Sequence, residues 1–185
     1  MILSQGDIEE SLNNDDIKYD GEIRGNSLLL KLGSTIQKFS SNSQIIDPYD
    51  KVSLDQAYDS EILSEWQTFN LNSQQLILCS SKEYLYLGNQ FTGVISTLSH
   101  VARFGIMIHP SSFIIDAEFN GYITLELYNL SPHVIKIRQG MPIGKIILFK
   151  MREITSQVDI NNQRKKNFYG GNDLLKSQFY KEFHL

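Results

Sequence analysis

Cysteine is nearly absent: Cys79 stands alone in 185 residues. One thiol cannot close a disulfide within the chain, which excludes the stapled secreted scaffolds and makes a cytoplasmic setting the default. It also excludes the cysteine-rich zinc sites. There is no CxxC and no HExxH, and His100, His109, His133 and His184 keep no ligand spacing, so each reads as an ordinary hydrogen-bonded histidine. No Walker loop, dinucleotide fingerprint, internal repeat or low-complexity tract occurs. No apolar stretch approaches the roughly 20 residues that cross a bilayer. Acids stand near the N-terminus where a secretory leader would carry a basic flank. Basic excess is missing as well: 17 Lys and Arg face 21 Asp and Glu, a net charge of −4. A nonspecific nucleic-acid binder advertises a basic patch, and none is visible. The expectation is a soluble cytoplasmic protein with no membrane and no nucleic-acid partner. A few local cations still suffice to hold a phosphorylated small molecule.

Hydrophobic residues make up 41 % and charged ones 21 %, the range of globular chains rather than disordered ones. The length suits one domain, read as residues 1–151 with a polar tail over 152–185. Residues 4–13 read as a short helix, with Ser4 as N-cap, Asp7 three positions on, and Ile8 and Leu12 on one face. Ser27 to Gly33 reads as a strand that ends at the glycine. Residues 34–50 are polar and close on the turn-like DPYD, and 51–66 keep no clean period beyond a short helix. From Phe69 the pattern is β throughout: 75–80, 83–87, 93–98, 106–109, 113–115, 123–128, 134–137 and 143–149. Short strands at this spacing, without long helical periods between them, indicate a β-sandwich or barrel.

The chemistry gathers in residues 99–129. SHVARFGIMIHP (99–110) places Ser99 and Arg103 ahead of an apolar run. IDAEFNGYITLELYN (115–129) places Asp116 before a turn with Phe119 and Gly121, then a strand. Side chains alternate along a strand, so Thr124, Glu126 and Tyr128 share one face and Ile123, Leu125 and Leu127 the other. By pattern alone Glu126 is a solvated carboxylate on an outer strand face, Arg103 a surface cation, Ser99 a turn residue and Asp116 a turn cap. The serine, guanidinium and carboxylate meet only if the two segments lie side by side.

These segments resemble the dCTP deaminase family of the dUTPase-like superfamily. There the run is GRSSLARLGL, a His, then IDPGF-x-G and TLEL. QGMPIGKIILF (139–149), MILSQGDIEESL (1–12), NSLLLKLG (26–33) and the strand rhythm of 69–96 resemble further parts of it. The resemblance implies a mostly β, dUTPase-like distorted barrel or jelly-roll-like body with a short N-terminal helix and a C-terminal tail. It implies a homotrimer with sites between subunits, and Mg²⁺ carried on the substrate's phosphates with no protein-held zinc. It implies that Glu126 is the general acid/base for attack of water on C4 of the cytosine. Ser99 and Arg103 would then hold the water and stabilise developing charge. Asp116 would bond the sugar 3′-hydroxyl, with Phe119, Gly121 and Thr124 beside it. Burial can raise a carboxyl toward neutrality, as such chemistry needs.

The departures from the family pattern are local. GRSSLAR becomes TLSHVAR (97–103), so its Gly, Arg and second Ser are Thr97, Leu98 and His100. A charge-assisted phosphate contact is thereby lost. The Asp of SVDLRLG is Leu29, and the Pro-Gly after the turn Asp is Ala117-Glu118. The family's tail resembles NFYGGN (167–172), with Tyr169 matching its Tyr. His100, Arg164, Lys165 and Lys166 are the candidate replacement cations. The expected function is deamination of a deoxycytidine nucleotide, dCTP to dUTP and ammonia, with or without hydrolysis to dUMP. The alternatives are a dUTP diphosphatase, or a nucleotide-sensing or interaction protein that kept the fold.

Overall fold

A computed structural model describes residues 1–42, 45–110, 112–153, 177 and 179. Helix α1 (Gln5–Asn13) begins at Ser4 in a capping box: the Asp7 N–H donates to Ser4 Oγ at 3.3 Å and the Ser4 N–H donates to Asp7 Oδ2 at 2.8 Å. Those two bonds satisfy N–H groups that a helix start leaves open. Strands β1 (Ile17–Tyr19), β2 (Ile23–Arg24) and β3 (Ser27–Phe39) follow. Then come α2 (Lys51–Gln56), β4 (Tyr58–Ile62), β5 (Thr68–Leu71), β6 (Leu76–Leu87) and β7 (Phe91–Thr97). The chain continues through α3 (Ser99–Ala102), β8 (Ile106–Ile108), β9 (Ile114–Ile115), β10 (Asn120–Asn129), β11 (Ile135–Arg138) and β12 (Pro142–Lys150).

Ten strands form one sheet, whose main path runs β8-β10-β6-β3-β12-β7-β9. Its ends come back together. The Ile108 N–H on β8 donates to Thr97 Oγ1 at the end of β7 at 3.1 Å. Gly144 of β12 leaves room for the tip of the Ile108 side chain on β8, which a Cβ there would displace. The sheet therefore curls into the expected distorted barrel. Leu30, Leu32, Ile36, Ile77, Cys79, Leu125, Leu127, Ile146 and Leu148 fill its core, each at most 1 % exposed. Complete burial pushes the Cys79 thiol pKa well above its usual range, so the group stays protonated.

Three expectations need correction. Strand β3 does not end at Gly33 but runs six residues further to Phe39. Its first half pairs with β12 and its second with β4 and β6, with a register shift between Leu32 and Ile36 that turns the strand from one partner to the other. Leu28, Leu29 and Leu30 are all buried, which is why no alternation marks the strand's start. Residues 75–80 and 83–87 are one strand, β6, because Ser81 Oγ and the Glu83 carboxyl bond neighbouring backbone where the break was read. Residues 58–62, which have no β-like alternation, form β4 because the open edge of β3 offers them a partner. The short helix read within 51–66 is α2, capped by Asp50.

Candidate active site

Strand β10 carries the alternation read from its sequence. Ile123, Leu125 and Leu127 are buried, and Thr124, Glu126 and Tyr128 are half-buried on the opposite face. That face is not the solvated surface expected from the pattern. Pairing across the sheet puts Glu126, Leu78, Gln37 and Ser60 in one row over four strands. Beyond it, Tyr128 pairs with Leu76 and Phe39 with Tyr58, whose rings stack at 5.0 Å. Gln37 is only 6 % exposed; its Nε2 donates to Ser60 Oγ at 3.1 Å, while its Oε1 is buried without a partner. Partial burial on this face raises the Glu126 carboxyl above its ordinary value. Burial, and then the Glu126 charge, hold the Tyr58 phenol in its protonated form. No side-chain hydrogen bond or ion pair engages Glu126 among the described residues.

Ser99, His100 and Arg103 lie on and just after α3, and all three are exposed. Val101 is buried and anchors the helix. Leu98 packs against the core, and the Thr97 hydroxyl is taken by β8. The two positions where the resemblance has Gly and Arg thus serve packing here. The two motif segments do lie side by side, since β8 pairs with β10 from Ile106 opposite Asn129 to Ile108 opposite Leu127. The register nevertheless keeps the trio apart. The Glu126 backbone carbonyl accepts the His109 N–H at 3.0 Å, while the carbonyl of Gly105, which follows α3, accepts the Leu130 N–H beyond the end of β10. Four residues of extended chain separate these contacts, about 13 Å. No side-chain bond joins Ser99, Arg103 and Glu126 among the described residues.

Asp116 is exposed at the turn between β9 and β10, and its carbonyl accepts the Phe119 N–H at 3.3 Å. Phe119 is half-buried and packs against the core. Gly121 has φ 149° and Glu118 has φ 64°. Glu118 therefore adopts the left-handed conformation where the resemblance places glycine. Thr124 sits opposite Ser80. Tyr169 lies outside the described residues, as do Arg164, Lys165 and Lys166.

One expectation fails at His109. Both its ring nitrogens are buried without a hydrogen-bond partner, and its backbone has φ 51°. Burial drives its pKa down to about 4, so it is a neutral imidazole at ordinary pH. The signal in the sequence is its place, closing an apolar strand where the resemblance also has His. Gln37 and Tyr58 left no such signal, because their position beside Glu126 depends on the long course of β3 and on β4.

A curled β-body, a half-buried carboxyl on one strand and an exposed Ser/Arg helix beside it define a protein of the dUTPase-like fold. The crystal structure of 2'-deoxycytidine 5'-triphosphate deaminase from Agrobacterium tumefaciens superposes with a TM-score of 0.61 at 21 % identity. That match covers 80 % of this chain and 48 % of the other. The model of the family described as dCTP deaminase-like matches residues 2–151. A "dCTP deaminase, dUMP-forming" of Methanosphaerula palustris is 30 % identical over 89 % of each chain. One of Methanoculleus marisnigri is 31 % identical over 81 % of each. The chain belongs to the dCTP deaminase-like family.

Proposed function

We propose that the protein deaminates dCTP to dUTP and ammonia. The observation that carries this reading is Glu126, a half-buried carboxyl whose pKa is raised and whose side chain has no hydrogen-bond or ion-pair partner among the described residues. Such a group can take a proton from water and give it up again, which is the work of a general acid/base. In this reading Glu126 takes a proton from the water that attacks C4 of the cytosine. It delivers that proton to the ring nitrogen, then carries the proton of the new C4 hydroxyl to the amino group, which leaves as ammonia as the C4 carbonyl forms. Ser99 and Arg103 hold the water and offset the charge that develops on it. Asp116 bonds the sugar 3′-hydroxyl. Phe119, Gly121 and Thr124 shape the wall around it, and His100 and Tyr169 contribute to binding.

The separation of α3 from Glu126 within one chain supports assembly as a homotrimer. The Ser/Arg helix of one copy then faces the Glu126 side of β10 in the next. Both surfaces suit this, since Ser99, Arg103 and Glu126 all lack side-chain partners among the described residues, and Phe104 beside them is 52 % exposed. Mg²⁺ enters on the substrate's phosphates, as part of the substrate. With Leu98 turned to the core, the phosphate grip is weaker by up to about 2–5 kcal/mol if the lost partner charge is buried. The names of the two relatives favour continuation to dUMP and diphosphate over release of dUTP.

The test incubates purified protein and Mg²⁺ separately with dCTP, dCMP, CTP and dUTP, then resolves nucleotides and free ammonia. Ammonia from dCTP is expected, with dUMP as the final nucleotide. Hydrolysis of dUTP alone, or binding without turnover, contradicts the reading.

A further inference from the structure

Asn129 ends β10, three residues after Glu126, and is completely buried. Its Nδ2 donates to the carbonyls of Leu71 at 3.0 Å, Asn72 at 3.1 Å and His133 at 2.7 Å. Its Oδ1 accepts the Ser131 N–H at 2.9 Å and the Ser131 hydroxyl at 2.8 Å. Ser73 Oγ holds the Ser131 carbonyl at 2.7 Å. One amide thus ties together the end of β5, the loop after it and residues 131–133. Buried and fully satisfied, such a network is rigid.

Gly105 rests on this clamp. The Leu130 N–H donates to its carbonyl at 2.8 Å, and its own N–H closes the turn after α3 on Ala102 at 3.0 Å. A Cβ at Gly105 would lie 2.8 Å from Ser131 Cβ and 2.9 Å from Ser131 N, and φ there is 88°. No other residue fits without moving α3 or the clamp. Helix α3 has four residues and no side-chain cap, so it brings little stability of its own and takes its position from what it is seated on.

We infer that Asn129, acting through Ser131 and Gly105, is a positioning residue for catalysis: it sets where α3 holds Ser99 and Arg103. The inference rests on the role given to those two side chains above. One strand then carries the acid/base of one site and, three residues on, the seat of the Ser/Arg helix that serves a neighbouring copy's site.

The test is a double-mutant cycle on the full-length protein, combining Gly105→Ala, or Ser131→Ala, with Arg103→Ala, each confirmed folded by circular dichroism. Misplacing a catalytic group by about an ångström can cost about 10²-fold, so Gly105→Ala is expected to lower kcat for dCTP by about 10- to 100-fold in the parent. In the Arg103→Ala background the same change should cost at least about threefold less than in the parent, because one of the two groups being positioned is gone. Equal losses in both backgrounds, or an unchanged kcat in a folded Gly105→Ala, overturn the inference. Ser131→Ala keeps the backbone and serves if Gly105→Ala does not fold. Hydrogen exchange gives a readout independent of turnover: the α3 amides should exchange faster in both variants while β12 stays unchanged. Unaltered α3 exchange overturns the seat even if the parent deaminates dCTP, and faster exchange in a parent that turns over no dCTP upholds the seat while sinking the proposed function.

Discussion

Strand β10 and helix α3 carry the two halves of the proposed chemistry and are built in opposite ways. Glu126 stands in the middle of a ten-residue strand, half-buried among side chains from four strands, and its own chain raises its pKa. Ser99 and Arg103 stand on a four-residue helix in full contact with solvent. Tuning a carboxyl needs desolvation, which one chain's sheet can supply. Donors aimed at a developing charge need placement, and gain strength only when water is excluded. An exposed pair on one surface and, on another, a half-buried acid with no side-chain partner among the described residues are what a site completed by a second copy requires of each copy.

The largest expected effect is on the strand side. Glu126→Gln keeps the shape and removes the proton carrier, so turnover should fall by at least about 10²-fold while nucleotide binding, followed by calorimetry, persists. In the parent, the acid limb of the pH–rate profile should fall above the ordinary carboxyl value of 4.5, because the base must be ionised and its pKa is raised. A fully active Gln variant removes Glu126 from the mechanism. On the helix side, Arg103→Lys keeps the charge but loses the planar fork, and kcat should drop by about tenfold or more. An unchanged kcat there would make Arg103 a bystander.

A third effect concerns stability rather than rate. His109 is neutral when folded, with its pKa depressed to about 4 from an ordinary 6.5. Its contribution is fully present above pH 6.5 and is lost as pH falls toward 4, because the unfolded chain takes up the proton first. The loss is of order 3 kcal/mol, from about 1.4 kcal/mol per pKa unit. Urea titrations at pH 7.5 and pH 5 should therefore show a smaller pH dependence for His109→Gln than for the parent. Equal dependence means the imidazole finds a partner in solution. The smallest effect lies at the turn before β10. Glu118 holds φ 64°, and Glu118→Gly should stabilise the fold by about 0.5–1 kcal/mol by relieving the left-handed strain. A destabilised variant would mean that the Glu118 side chain contributes more than its backbone costs.

Local rules made much of this legible in advance. Ser4 and Asp7 announce the helix start, and the alternation of 123–128 gives the faces of β10 correctly. Cross-sheet geometry was out of reach. The row that half-buries Glu126 depends on β3 continuing through Gly33 and changing partners at a register shift. It also depends on β4, whose residues have no strand-like pattern and pair because an edge is available. His109 illustrates the same limit: nothing local distinguishes a satisfied histidine from one buried without partners. The distance between α3 and Glu126 follows from the register of β8 on β10, which motif spacing does not encode.

The account turns on the site being shared between copies, and mixing two impaired chains tests this most directly. Glu126→Gln and Arg103→Ala proteins, each strongly impaired alone, are unfolded together, refolded at equal amounts and assayed for ammonia release from dCTP. Native mass spectrometry confirms that mixed oligomers form. Random assembly around a closed ring places an intact Glu126 opposite an intact Arg103 in roughly a quarter of the sites, so activity should return to about that fraction of the parent. Mixed oligomers no more active than the separate variants would show that each chain completes its own site, contradicting the account.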